Sequence, residues 1–443
     1  MNQVFVVLAL AAGSASLLFH QRSAPVVIAF TYIFATLGLL VDPLMTSPVN
    51  VYAEDVLCSV CLVAACRLLV FSPHLITKPA ILGLVFVLVV ALFQFVLGAR
   101  EFGPQRAGVE FRSMFYFLTT SLLLLVNIQK RGGEYLRHCK RWYVALAVCL
   151  LLIAAVRWAS PGSIRGLTGI VPGERYTELR VLNFQATQIV FQSVLLLICM
   201  SEKGLTWMGK AYSAVAVAAT LALMHRTLWV AVAVAAVPFL VFRAARLWTV
   251  ICALVALGAC LALAIAVAPA LAGGGVDQLM LGVDESASGH GSMQWRLQGW
   301  VSLLQETRSS REVLVGQPYG GSLMRYVDNY RVDTAVHSFY LAAFFRFGLV
   351  GVMLIVLAAG RAGQQVVKFL GSRDPNVRLR AASWAALLLV QLISFVSYEP
   401  NYEWAIVAAS LLAVQPWHVA GGVRRDRIMG DRVVALPDGR ASV

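Results

Sequence analysis

The chain has 443 residues, of which 59% are hydrophobic and 13% charged, and a mean hydropathy of +0.76. A soluble protein of this length cannot hide so much apolar surface, because burial fractions saturate at this size. The net charge of +14 invites a nucleic-acid reading, but its distribution argues against one, since the basic residues cluster in short segments between long uncharged runs.

Those runs predict helices crossing a membrane. They are expected at 3–19, 24–42, 54–71, 80–98, 113–128, 142–158, 183–201, 211–225, 227–242, 247–271, 347–360, 381–397 and 403–418. The fold class is all-α, a polytopic integral membrane protein with about 12–13 transmembrane helices. Continuous apolar runs without alternation argue against a β-barrel. The first run lacks a basic n-region and reads as a membrane helix rather than a signal peptide. Cys58 and Cys61 form a CxxC without a second pair, inside an apolar run, and read as small packing residues.

The segment 129–141 holds five Lys/Arg against one acid, 361–380 again five against one, and the tail after 421 five Arg against three Asp. By the positive-inside rule these face the cytoplasm, as in an inner-membrane protein. The segments 99–112, 159–182 and 272–336 then face outward. The chain divides into an N-terminal bundle at 1–271, a large outer loop at 272–336, C-terminal spans at 337–420 and a cytoplasmic tail at 421–443.

The outer loop breaks the apolar pattern, and its acids nearly balance its arginines. Structureless loops of such length are generally functional or folded. Within it, Leu297, Trp300, Val301 and Leu304 recur at helical spacing, which predicts an amphipathic helix on the membrane surface. VGQPYGG (315–321) follows, a turn-rich stretch whose glycines let the backbone approach something closely.

Four places on the outward side carry ionisable residues that could do chemistry. Arg226, in LALMHRTLWVAV, faces a cavity or an anionic partner if it lies at depth, or else snorkels at the interface. Arg296 heads the amphipathic helix, where a solvated edge charge is the simpler reading. Arg175 and Arg180, in GERYTELRVLNF, can pair with Glu174 and Glu178. His337 lies at the start of VHSFYLAAFFRFGLVG (336–351), where the loop re-enters the membrane. The helix dipole disfavours an imidazolium at a helix start, so this histidine is suited to accept a proton, although for a histidine taken alone a hydrogen-bonded interfacial residue is the simpler reading. The segment FRFGLVG reads as a hinge between an outer helix and a span. Asp284, Glu285 and His290 lack metal-ligand spacing, and no Walker, GxSxG or Rossmann motif occurs. No metal and no cofactor are expected.

Together, MHRTLWVAV, the R-x-x-x-W helix WRLQGW, VGQPYGG and HSFYLAAFFRFGLVG resemble, in order and spacing, signatures of the bacterial O-antigen ligase and polymerase superfamily. The resemblance covers roughly 180–360. It departs in LRVLNFQAT, where only Asn183 of the family's polar pair is recognisable, which puts the role of Arg180 in doubt.

The resemblance implies a metal-independent, inverting glycosyltransferase of the membrane-embedded C type. Its donor would be a glycan on undecaprenyl diphosphate at the periplasmic face. Its acceptor would be another lipid-linked glycan in a polymerase, the reading slightly favoured, or lipid A–core in a ligase. Catalytic roles then fall to His337 as base and to Arg296 and Arg226 as phosphate-stabilising cations, and substrate binding to Arg180, Trp300, Tyr319, Gly316 and Arg175. Membrane lipids are expected neighbours, and a chain-length regulator and a flippase are further expected partners. Nucleic acid is not. A lipid-linked oligosaccharide transporter is the rival, and it predicts repeated halves that the sequence does not show. A non-catalytic scaffold for polysaccharide assembly is a third reading.

Overall fold

The structure, a computed structural model, describes residues 2–40, 43–46, 50–159, 181–201, 204–223, 225–242, 292–305, 309–321, 325–327, 330–332 and 336–413. It is almost entirely helical. The helices are α1 (Asn2–Phe19), α2 (Ala24–Thr36), α3 (Ala53–Val70), α4 (Pro79–Phe102), α5 (Pro104–Arg131), α6 (Gly133–Ala159), α7 (Phe184–Cys199), α8 (Trp207–Ala222) and α9 (Arg226–Val241). They continue with α10 (Ser292–Gln305), α11 (Ser310–Val315), α12 (Phe339–Leu370), α13 (Pro375–Ser397) and α14 (Ala405–Leu412). A short antiparallel ribbon pairs β1 (Arg325–Val327) with β2 (Tyr330–Val332).

Every expected span with described residues overlaps a helix, although 37–40 of the second is turn, and 41–42, 247–271 and 414–418 lie outside the described residues. Five of these helices, α4, α5, α6, α12 and α13, are long and apolar enough to cross a membrane. α1, α7, α9 and the 402–412 stretch are apolar but shorter.

The helix ends follow local chemistry. Proline opens α4, α5 and α13, where its missing N–H costs nothing. Asn183 caps α7 by accepting from the Ala186 N–H at 2.8 Å, and Ser309 and Glu312 form a capping box on α11. The segments 99–112 and 129–141, expected as connections, are instead mostly helix. α4 runs into α5 across Gly103 alone (φ 89°), and α5 into α6 across Gly132 (φ 68°). A left-handed glycine turns the chain in one residue, so little loop is needed.

α5 is the hub. In its most apolar stretch 83% of residues are buried, Thr119, Thr120, Ser121 and Asn127 among them, and it packs against α3, α4 and α14. α13 packs against α7, α9 and α12. Cys58 and Cys61 are buried and unbridged, with the Cys58 Sγ 3.8 Å from the Thr120 hydroxyl, as packing residues would be.

Candidate functional site

At one end of the bundle the C-terminus of α13 meets the N-termini of α7, α9 and α12, and α10 lies over them. Arg296, in the second turn of α10, donates from Nη1 to the Ser397 carbonyl at 3.3 Å. Its guanidinium stands 5.3 Å from the centre of the Tyr398 ring, within cation–π range. Tyr398 in turn stacks on Phe184 at the start of α7, with centroids 3.7 Å apart and planes 11° from parallel. Phe184 meets His225 edge-on at 5.9 Å, and a ring nitrogen of His225 lies 3.0 Å from the Leu182 carbonyl. The next residue, Arg226, begins α9, and its side chain lies outside what the structure describes. Arg296 and the 225–226 corner are therefore joined by one run of ring contacts.

His337 reaches the same end through Trp300. The Trp300 indole N–H donates to the Val336 carbonyl at 2.9 Å, and Val336 packs with Leu303 and Phe345 in a small cluster of its own. Trp300 lies one turn beyond Arg296, about 6 Å along the helix axis, so α10 carries the arginine and tethers the histidine. His337 itself is the one described non-glycine residue with a left-handed backbone, φ 53°. Such a conformation costs of order 1–3 kcal/mol and persists only where the surroundings enforce it. It directly precedes Ser338, the N-cap of α12, and is half-buried.

The expected surface helix is present as α10, with Leu297, Val301 and Leu304 exposed in a stripe on one face. Leu303 and Trp300 face the protein instead.

VGQPYGG does bring backbone close to something, and that partner is the protein's own α12. A Cβ on Gly316 would lie 2.3 Å from the Arg346 carbonyl carbon, and one on Gly348 would lie 2.3 Å from the Leu314 carbonyl. Both glycines have positive φ, 82° and 62°. Gly348 breaks α12 (ψ −159°), so the expected hinge in FRFGLVG is a kink at this residue. The freed Phe345 carbonyl accepts from the Gln317 N–H at 2.7 Å.

Arg346, 4% exposed, donates to the Pro318 carbonyl, to the Gly321 carbonyl at 3.3 Å and to the Glu110 carboxylate of α5. The same carboxylate oxygen accepts from the Gly320 N–H at 2.8 Å. On the α4 side, Gln94 donates to the Val315 carbonyl at 2.9 Å, and Gly98 leaves room for the Tyr319 backbone.

Tyr319 is 2% exposed, edge-on to Phe111 at 5.2 Å and beneath the Arg346 guanidinium at 5.2 Å. Burial pushes its phenol up from the usual tyrosine range. Both it and Gly316, expected to touch substrate, are thus engaged by the protein's own α4, α5 and α12, and Trp300 is engaged as a tether.

Arg175 and Arg180 lie outside the described residues. Sequence reasoning missed Tyr398, Glu110 and Arg346. Only Arg346 left a signal, as a lone charge inside the apolar run AAFFRFGLVG. Among the described residues no three His, Cys, Asp or Glu side chains gather as a ligand set. Asp284, Glu285 and His290 lie outside them. No protein-family model matches the chain, and no curated protein is significantly similar to it.

Proposed function

We propose that the protein is a multi-pass glycosyltransferase of the bacterial inner membrane, with its active site facing the periplasm, and that it transfers a glycan from undecaprenyl diphosphate to a sugar hydroxyl during surface polysaccharide assembly. The observation that carries this reading is the meeting of Arg296, the 225–226 corner and the strained His337 at one end of an apolar helical bundle.

The chemistry assigned to them is simple. Displacing a diphosphate from an anomeric carbon leaves negative charge on the departing oxygens. Guanidinium groups stabilise that charge through a planar, permanently charged fork, the role assigned to Arg296 and Arg226. The attacking hydroxyl has a high pKa and gains from a base within hydrogen-bonding reach. His337 takes its proton as the new glycosidic bond forms and the diphosphate oxygen leaves, so a single in-line displacement inverts the anomeric centre. Arg175 and Arg180 are assigned to the donor headgroup on sequence grounds alone.

The test supplies purified protein with undecaprenyl diphosphate-linked repeat units, with and without lipid A–core, and follows release of undecaprenyl diphosphate and growth of glycan on a gel. Polymerase activity lengthens the lipid-linked chain without lipid A–core. Ligase activity requires lipid A–core and labels it. Release of undecaprenyl diphosphate under neither condition contradicts the proposal.

A further inference from the structure

The helical stretch 339–347, which His337 immediately precedes, is cut off from the rest of α12 by the kink at Gly348. The kink ends the helical hydrogen-bond ladder there, so the piece is held by its own contacts: Tyr340 donates to the Leu392 carbonyl of α13 at 2.9 Å, and Phe339, Ala343 and Phe347 pack in the main core. Its N-terminal end is held by Trp300 on the Val336 carbonyl. Its C-terminal end is held by Arg346, which bridges the Glu110 carboxylate of α5 to the carbonyls of Pro318 and Gly321.

Glu110 completes the clasp by accepting from the Gly320 N–H. One carboxylate thus fixes the strap 315–321 and the His337-bearing helix to the same point of the hub helix. Arg346 is nearly fully buried and Glu110 about a quarter exposed, so charge and geometry are both needed there: an isolated guanidinium would be left unpaired, and a lysine could not span three acceptors.

We propose that Arg346 and Glu110 are a positioning pair for the transfer reaction, setting where His337 is held relative to Arg296 rather than touching substrate. This rests on the function proposed above. Sub-ångström placement of a base governs turnover far more than it governs donor affinity, so loosening the clasp should lower kcat and spare KM.

The test compares wild type, Glu110→Gln, Arg346→Lys and His337→Asn in nanodiscs with undecaprenyl diphosphate-linked repeat units, with thermal unfolding recorded for each. The pair predicts that Glu110→Gln and Arg346→Lys lose at least about tenfold in kcat while KM for the lipid donor stays within about twofold. Should Glu110→Gln fail to fold, Arg346→Lys carries the test, because it keeps a cation opposite Glu110. Wild-type kcat in the folded variants, or a raised KM with kcat retained, overturns the proposal. Failure of both variants to fold also overturns it, since the pair is then a folding element. Full turnover in His337→Asn removes the base assignment and this proposal with it. An inactive His337→Asn beside fully active clasp variants removes this proposal alone.

Discussion

Stability and activity should part company at position 337. Its φ of 53° puts a Cβ in the left-handed region, at a cost of about 1–2 kcal/mol for an ordinary residue. Glycine escapes that cost but gives back about 0.4–1 kcal/mol through the freedom of its unfolded chain. Substitution by Gly, Asn, Ala and Val removes the imidazole and its contacts in every case, so differences among the four report the backbone. His337→Gly should therefore exceed His337→Ala by about 0.5–1 kcal/mol. His337→Asn should lie near Gly, because Asn tolerates the left-handed region, and His337→Val should be lowest, because β-branching does not. The order is read by thermal unfolding of purified protein in one detergent. All four should be inactive in glycan transfer, so the most stable variant is as inactive as the least. Val as stable as Gly would show that position 337 is not held left-handed and would refute the strain argument.

Gly316→Ala should cost roughly 2–5 kcal/mol, from the left-handed backbone and from a Cβ forced against Arg346. Gly83→Ala, where the added Cβ meets nothing within 4 Å, should instead gain up to about 1 kcal/mol, and the pair is compared by thermal unfolding. Tyr319→Phe should leave stability at neutral pH within about 0.5 kcal/mol, because among the described residues the buried hydroxyl has no hydrogen-bond partner. With its phenol raised on folding, Tyr319 holds its proton while the unfolded chain ionises. Its contribution is complete below the ordinary tyrosine range and is lost as pH rises through and above it. Tyr319→Phe should flatten that alkaline loss in unfolding scans. Arg296→Lys keeps the charge and loses the fork, so transfer should fall by about 10–100-fold, read as release of undecaprenyl diphosphate. Undiminished release would remove Arg296 from the reaction.

Hydropathy alone located almost every helix, because a run that must bury or face lipid leaves its period in the sequence. Its boundaries were less legible. Gly103 and Gly132 turn the chain in one residue, so α4, α5 and α6 absorb segments that composition marks as connections. The hinge at 345–351 was readable because Gly348 interrupts an apolar run.

What the strap 315–321 meets was not readable. Its glycines announce a close approach without naming the partner, and only the fold brings Gly316 against Arg346. Glu110 looked like any polar residue near a helix start, since its partners lie 210 and 236 positions away. The left-handed backbone of His337 has no local signal, because histidine does not demand that conformation. Tyr398 carries no signal of its own in the sequence, and only the fold brings Arg296 and Phe184 onto its ring.

Under the proposed function, His337 accepts the proton of the attacking sugar hydroxyl. The most direct test is transfer from undecaprenyl diphosphate-linked repeat units by wild type and by His337→Asn, a substitution that suits the backbone at this position. Wild type should release undecaprenyl diphosphate and extend the glycan, and His337→Asn should be folded, bind donor and fall by at least about 100-fold in turnover. Equal turnover by the two proteins would contradict the account.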